Sequence, residues 1–265
     1  MAKFMAILLD SYLEIKARKF FWVYWAVTIV MILVFAFLPN LEIDGRNLLK
    51  SGDIPPEVVA MAVANFFNGF FGFMIFLMVF GSAGMIPAFV SKGRIELSLS
   101  KPIGRIKLML MKFFSVYIIM SLIFMVACGL IFAVMSFQAE TYTTYFFYGL
   151  GLELVRFFIV YAILFFLGIA FKSTAASIMG YFTIWFVTGL LAGREVVYQI
   201  LTSKIWKTIL DTIYNILPKF SDLSDDLISV LQGQGIADYY PLWSSLLFGI
   251  VALLLGLLIF NRRDY

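Results

Sequence analysis

The chain has 265 residues, 63% of them hydrophobic and 18% aromatic, with a mean hydropathy of +0.98. Soluble domains carry far less apolar material, so the sequence describes a polytopic membrane protein. It has a net charge of +4, no histidine and a single cysteine, Cys128. Intrachain disulfides, the usual Cys/His metal sites and the commonest general base are therefore excluded.

Residues Lys3 to Lys19 place Phe4, Leu8, Tyr12 and Ile15 on one helical face and Lys3, Asp10, Glu14 and Arg18 on another. This spacing predicts an amphipathic helix in the membrane interface. Asp10, Glu14 and Lys16 interrupt the apolar residues and no small-residue cleavage site follows, so the segment does not read as a signal peptide. Residues 20–38 form a first span, with Trp22, Tyr24 and Trp25 at headgroup depth. The loop from Pro39 to Glu57 is turn-rich and carries Glu42, Asp44, Asp53 and Glu57, a balance suited to the outside. Residues 58–90 form a second span, longer than a straight crossing needs. Pro87 is expected to bend its inner end, and Gly69, Gly72, Gly81 and Gly84 to admit close helix approach. Asn65 and Asn68 are candidate pathway residues on this span.

Val90 to Lys112 reads VSKGRIELSLSKPIGRIKLMLMK. Its six basic residues, Lys92, Arg94, Lys101, Arg105, Lys107 and Lys112, face one acid, Glu96. Such a loop is strongly biased to the cytoplasm, where it fixes topology and meets lipid phosphates. Gly93 and the Pro102/Gly104 pair bracket a short helix along the membrane face.

The run from Gly93 to Arg105, followed by Lys112 at the head of a span, resembles the first cytoplasmic loop of the type-2 permeases of ATP-binding-cassette (ABC) transporters. In that family a Gly-Thr-Leu-Glu-like segment leads into Leu-Leu-Ser-x-Pro-x-Ser-Arg, and a Lys begins the next helix. Gly93, Glu96, Leu97, Leu99, Ser100, Pro102, Arg105 and Lys112 match. Gly104 stands where Ser is usual, and Ser91 and Lys92 occupy the stretch where many relatives carry a Glu. The resemblance implies a coupling helix that docks on a separate ATPase subunit. Its docking residues would be Gly93, Arg94, Glu96, Leu97, Leu99, Ser100, Pro102 and Arg105, with Glu96 and Arg105 as polar contacts and Leu97 and Leu99 as buried anchors.

Residues 113–137 cross outward, and 145–171 return. The returning span holds Glu153 and Arg156, one turn apart and able to pair. At the outer interface such a pair is cheap; deeper, each charge costs about 2.5–3.5 kcal/mol and becomes a functional candidate. After Lys172 and Ser173 a fifth span covers 174–192. In the outer region that follows, Val197, Leu201, Ile205, Ile209, Ile213 and Ile216 line one helical face, and Lys204, Lys207, Asp211 and Asn215 the other. That helix lies on or dips into the outer leaflet, as the external re-entrant helices of the resembled family do. Residues 243–260 form the last span.

The expected fold is one all-α transmembrane permease domain over residues 1–265, with six spans, an N-terminal interfacial helix, a coupling helix between spans 2 and 3, and external helices between spans 5 and 6. Of the 20 basic residues, 13 fall on the side that holds both termini, so the excess charge is a topology signal and not a nucleic-acid footprint. No GxxxxGK[ST] loop is present, so ATP and Mg are expected in a partner subunit and no cofactor in this chain. The resemblance implies a non-catalytic exporter subunit in a prokaryotic inner membrane, working as a dimer with a second copy or a paralogue among membrane lipids. A second class is mechanotransmission or assembly, in which the same coupling acts on an extracytoplasmic partner. An intramembrane enzyme is disfavoured by the missing histidine and by the absence of a serine nucleophile elbow.

Overall fold

The computed structural model describes residues 2–37, 42–43, 46–47, 56–91, 93–99, 103–139, 144–194, 196, 198 and 203–263. Its helices are α1 (Ala2–Ala17), α2 (Lys19–Phe37), α3 (Pro56–Ala83), α4 (Met85–Phe89), α5 (Arg94–Leu99), α6 (Arg105–Ala139), α7 (Tyr145–Phe171), α8 (Thr174–Ala192), α9 (Lys204–Ile216), α10 (Phe220–Leu231) and α11 (Tyr240–Arg262). Between α2 and α3 a two-residue antiparallel ladder pairs β1 (Glu42–Ile43) with β2 (Arg46–Asn47). Six helical segments are long and apolar enough to cross a membrane: α2, α3 with α4, α6, α7, α8 and α11. In hydrocarbon every backbone N–H and C=O must find an internal partner, and a helix achieves this within one segment.

The fold is built around α7, which packs against α11, α8, α10, α3, α4 and α6. Residues Ile159 to Phe165 are all essentially inaccessible, which is why this span is apolar all round. At the other extreme α2 turns Trp22, Ile29, Val30, Leu33 and Phe37 outward. The α7–α8 turn is two residues long: Lys172 takes a left-handed conformation (φ 53°), and Ser173 Oγ accepts the Ala176 N–H at 3.4 Å.

The α7–α11 contact depends on Gly249 and Gly256, seven residues apart on one face of α11. A Cβ at Gly249 would lie 3.2 Å from the Ile159 Cα, and one at Gly256 2.9 Å from the buried Phe165 ring and 3.3 Å from the Phe166 Cα. Backbone cannot move aside as a side chain can. Gly256→Val is therefore expected to destabilise the fold by about 1–3 kcal/mol, visible as a lowered melting temperature in detergent.

Several expectations are corrected here. The second span is broken: α3 ends at Ala83, Gly84 stands between, and α4 carries Pro87. Proline has no N–H and its ring collides with the carbonyl four residues back, so the interruption falls at Ala83 and Gly84, ahead of Pro87 itself. Gly81 and Gly84 do receive close neighbours, Met120 and Arg18, whereas Gly69 and Gly72 face open space. The helix that carries the third span begins at Arg105, two turns before residue 113. In α1 the packed face is Ile7, Leu8, Ser11 and Ile15, while Tyr12 points outward with Met5, Leu9 and Leu13.

The two helices between α8 and α11 differ from one another. Leu223 and Leu227 of α10 are fully buried, and Leu227 and Leu231 fill the space over Gly149 of α7. By contrast α9 meets the rest of the protein through Tyr214 and Asp211, while Lys204 and Asn215 of its polar face stay exposed. Arg194 lies 3.5 Å from Asp211 and over the Tyr214 ring, Tyr198 donates to Asp211, and Tyr214 donates to Asp222. Its exposed side is Ile205, Trp206, Ile209, Ile213 and Ile216. Val197 and Leu201 lie outside the described residues. Lys219, between α9 and α10, joins both to α11: its N–H donates to Ser245 Oγ at 2.8 Å and its Nζ to Ser244 Oγ at 2.9 Å.

Candidate coupling site at the basic end of the bundle

α1, α5, the start of α6, and the ends of α7 and α11 gather at one end of the molecule. Arg263 closes this end by donating to the Ile169 and Ala170 carbonyls at 2.5 and 2.8 Å, a cation at the negative terminus of α7. Arg105 Nη1 donates to the Arg263 carbonyl at 3.3 Å.

At the centre of this end lies a cluster of charges. Lys112 of α6 is fully buried, and its Nζ donates to Ser11 Oγ at 3.0 Å, Glu14 at 3.1 Å and Asp10 at 3.3 Å. The Phe89 ring covers it, with Nζ 5.3 Å from the ring centroid. Arg94, the first residue of α5, donates to both carboxylate oxygens of Glu14 through Nη1 and Nη2, at 3.1 and 2.9 Å. Arg18, the single residue between α1 and α2, donates to Glu14 at 3.3 Å and to the Gly84 carbonyl at 3.1 Å. Burial alone would push the Glu14 carboxyl up. The hydrogen bonds and charges of Arg94 and Lys112 outweigh it and hold the group below its ordinary value.

The sequence-predicted docking residues sit beside this cluster. Gly93, in the left-handed region (φ 82°), and Glu96 are exposed. Arg94 faces α1. Leu97 and Leu99 belong to α5, but their side chains lie outside the described residues, as do Ser100 and Pro102 entirely. Ile95, only 1% exposed, helps to anchor α5 onto its own chain, and the sequence alone did not single it out. Asp10 and Glu14 were also missed as structural acids. The available signal was an acidic pair at i and i+4, with Ser11 beside it, in an otherwise basic end.

The second candidate group is separate. Glu153 of α7 is fully buried and accepts from Arg156 at 2.9 Å, while its Oε2 has no partner among the described residues. It lies eight residues into α7, about 12 Å along the axis. Asn65 is exposed and donates to the Met61 carbonyl of its own helix, and Asn68 is half-buried. Among the described residues neither asparagine bonds to the Glu153–Arg156 pair.

These features define a class: a multi-pass α-helical membrane subunit with its densest polar network at the helix ends. Residues 8–265 match the family model described as ABC-2 family transporter protein, and the chain belongs to that family. It is a membrane permease component of an ABC transporter. No curated protein matches it.

Proposed function

We propose that this permease is an exporter subunit driven by ATP hydrolysis in a separate ATP-binding subunit that docks on α5. The observation that carries this reading is the placement of α5. It is a short helix between spans 2 and 3, with Glu96 exposed on it and Arg94 tied back to α1. On this reading both termini are cytoplasmic, in a prokaryotic inner membrane. Two permeases, identical or paralogous, form the pathway and two coupling helices are driven together when the ATPases close on ATP and Mg. The spans then exchange between two discrete packings.

Purification from native membranes in mild detergent, followed by mass spectrometry, is expected to find a stoichiometric ATP-binding subunit. Glu96→Arg combined with Leu97→Asp is expected to abolish that association. Undiminished association in the double variant would remove α5 as the docking element.

A further inference from the structure

The contacts of Glu14 reach three different elements. Arg94 brings in α5, Lys112 brings in α6, and Arg18 continues to the Gly84 carbonyl at the break in span 2. The break is built around that last contact. The Gly84 carbonyl also accepts the Ala88 N–H at 3.2 Å, so it is shared between α4 and the Arg18 side chain. A Cβ at Gly84 would lie 2.5 Å from Arg18 Nη1 and 3.3 Å from Thr174 Oγ1 at the start of α8. Glycine leaves room for the guanidinium there.

We propose that Arg18 is a positioning residue for coupling: through Glu14 it carries displacement of α5 to the Gly84 break, and so sets the bend of span 2. This deepens the permease reading and rests on it. The charge balance suits a switch better than a lock. Three cations surround the inner carboxylate of Glu14, and Asp10, 58% exposed, supplies a second acid to Lys112 and Arg94. Withdrawing one cation leaves Glu14 still paired, so a partner can leave without stranding a buried charge, which would be the costly outcome. Arg18 also sits where movement can be taken up, since α1 ends at Ala17 and α2 begins at Lys19.

The test uses the complex with its copurified ATP-binding subunit, reconstituted in liposomes. Spin labels on cysteines placed at Met61 of α3 and Leu247 of α11, both exposed, report the position of span 2 against the last span. Cys128 is fully buried and takes no label. In the otherwise unaltered complex the label distance changes on trapping with MgATP and vanadate. Arg18→Gln and Gly84→Ala, which displace the same contact from opposite sides, are expected to retain the ATP-binding subunit and MgATP hydrolysis and to lose the nucleotide-dependent change. A wild-type change in either variant overturns the relay. So does a variant that melts earlier yet still responds, because that is the behaviour of a merely structural contact. If the unaltered protein retains no ATP-binding subunit, it is the permease reading that fails.

Discussion

Replacing Arg156 by alanine is expected to cost about 3–5 kcal/mol of stability, the range for breaking a buried ion pair by removing one partner. Glu153 is fully inaccessible, Arg156 is 11% exposed, and one Glu153 oxygen already lacks a partner among the described residues. Without the guanidinium the carboxylate must either stay charged in an apolar setting or take up a proton, and both are unfavourable. The measurement is unfolding in mixed lipid–detergent micelles titrated with a denaturing detergent. The paired replacement Glu153→Leu with Arg156→Met removes both charges together and is expected to restore stability to wild type or above, since buried pairs often yield no net gain over well-packed apolar residues. Transport by that double variant then separates two roles. Retained transport makes the pair a packing feature of α7, and lost transport with intact stability makes it part of the pathway.

Glu14→Ala is the second large effect. It removes the carboxylate shared by Arg18, Arg94 and Lys112, and leaves the fully buried Lys112 ammonium with the half-exposed Asp10 as its remaining acid among the described residues. A loss of about 3–5 kcal/mol is expected on the same argument. Acidification is expected to reproduce part of it. The folded protein holds the Glu14 carboxyl below its ordinary 4.5, so the unfolded chain binds the proton more readily. The stabilisation is therefore complete above the ordinary carboxylate range and is lost as pH falls through the depressed folded value. Thermal melts from about pH 7 to pH 3 should show a steeper acid limb for the wild type than for Glu14→Gln. An equal slope in both would place the acid sensitivity on other carboxylates.

The spans were legible because apolar runs of sufficient length, bounded by charge, have few alternatives in a bilayer. Residues 145–171 and 174–192 coincide with α7 and α8 because Lys172 and Ser173 leave no room for a different turn. Pro87 was expected to bend that end of span 2, and the interruption falls one turn earlier, at Gly84, because proline disrupts the turn before it. The charge cluster was the least legible part. Helical periodicity shows which residues share a face of α1, but not that two of the three cations meeting Glu14 come from 80 and 98 positions further on. Asp10 and Glu14 therefore read as a wet face, although Glu14 is the inner acid of the basic end. Tyr12 shares its apolar face with Phe4, Leu8 and Ile15 by spacing, yet it points outward while Leu8 and Ile15 pack inward: α1 is apolar on two sides, and periodicity alone does not say which one the protein takes.

Ile205, Trp206, Ile209, Ile213 and Ile216 give α9 an apolar side that points away from its own protein. Side chains of this size gain about 1.5–3 kcal/mol each on full removal from water, and with α9 lying in the leaflet, as its amphipathic sequence leads one to expect, hydrocarbon supplies that cover. The bilayer is then a reagent of the working cycle and not only its container. Any movement of the spans that shifts α9 also changes how much of this stripe the lipid covers, and the free energy of that exchange depends on acyl-chain length and lateral pressure. Rates measured in detergent, in thin bilayers and in thick ones are accordingly different quantities, each including the work done on a different solvent.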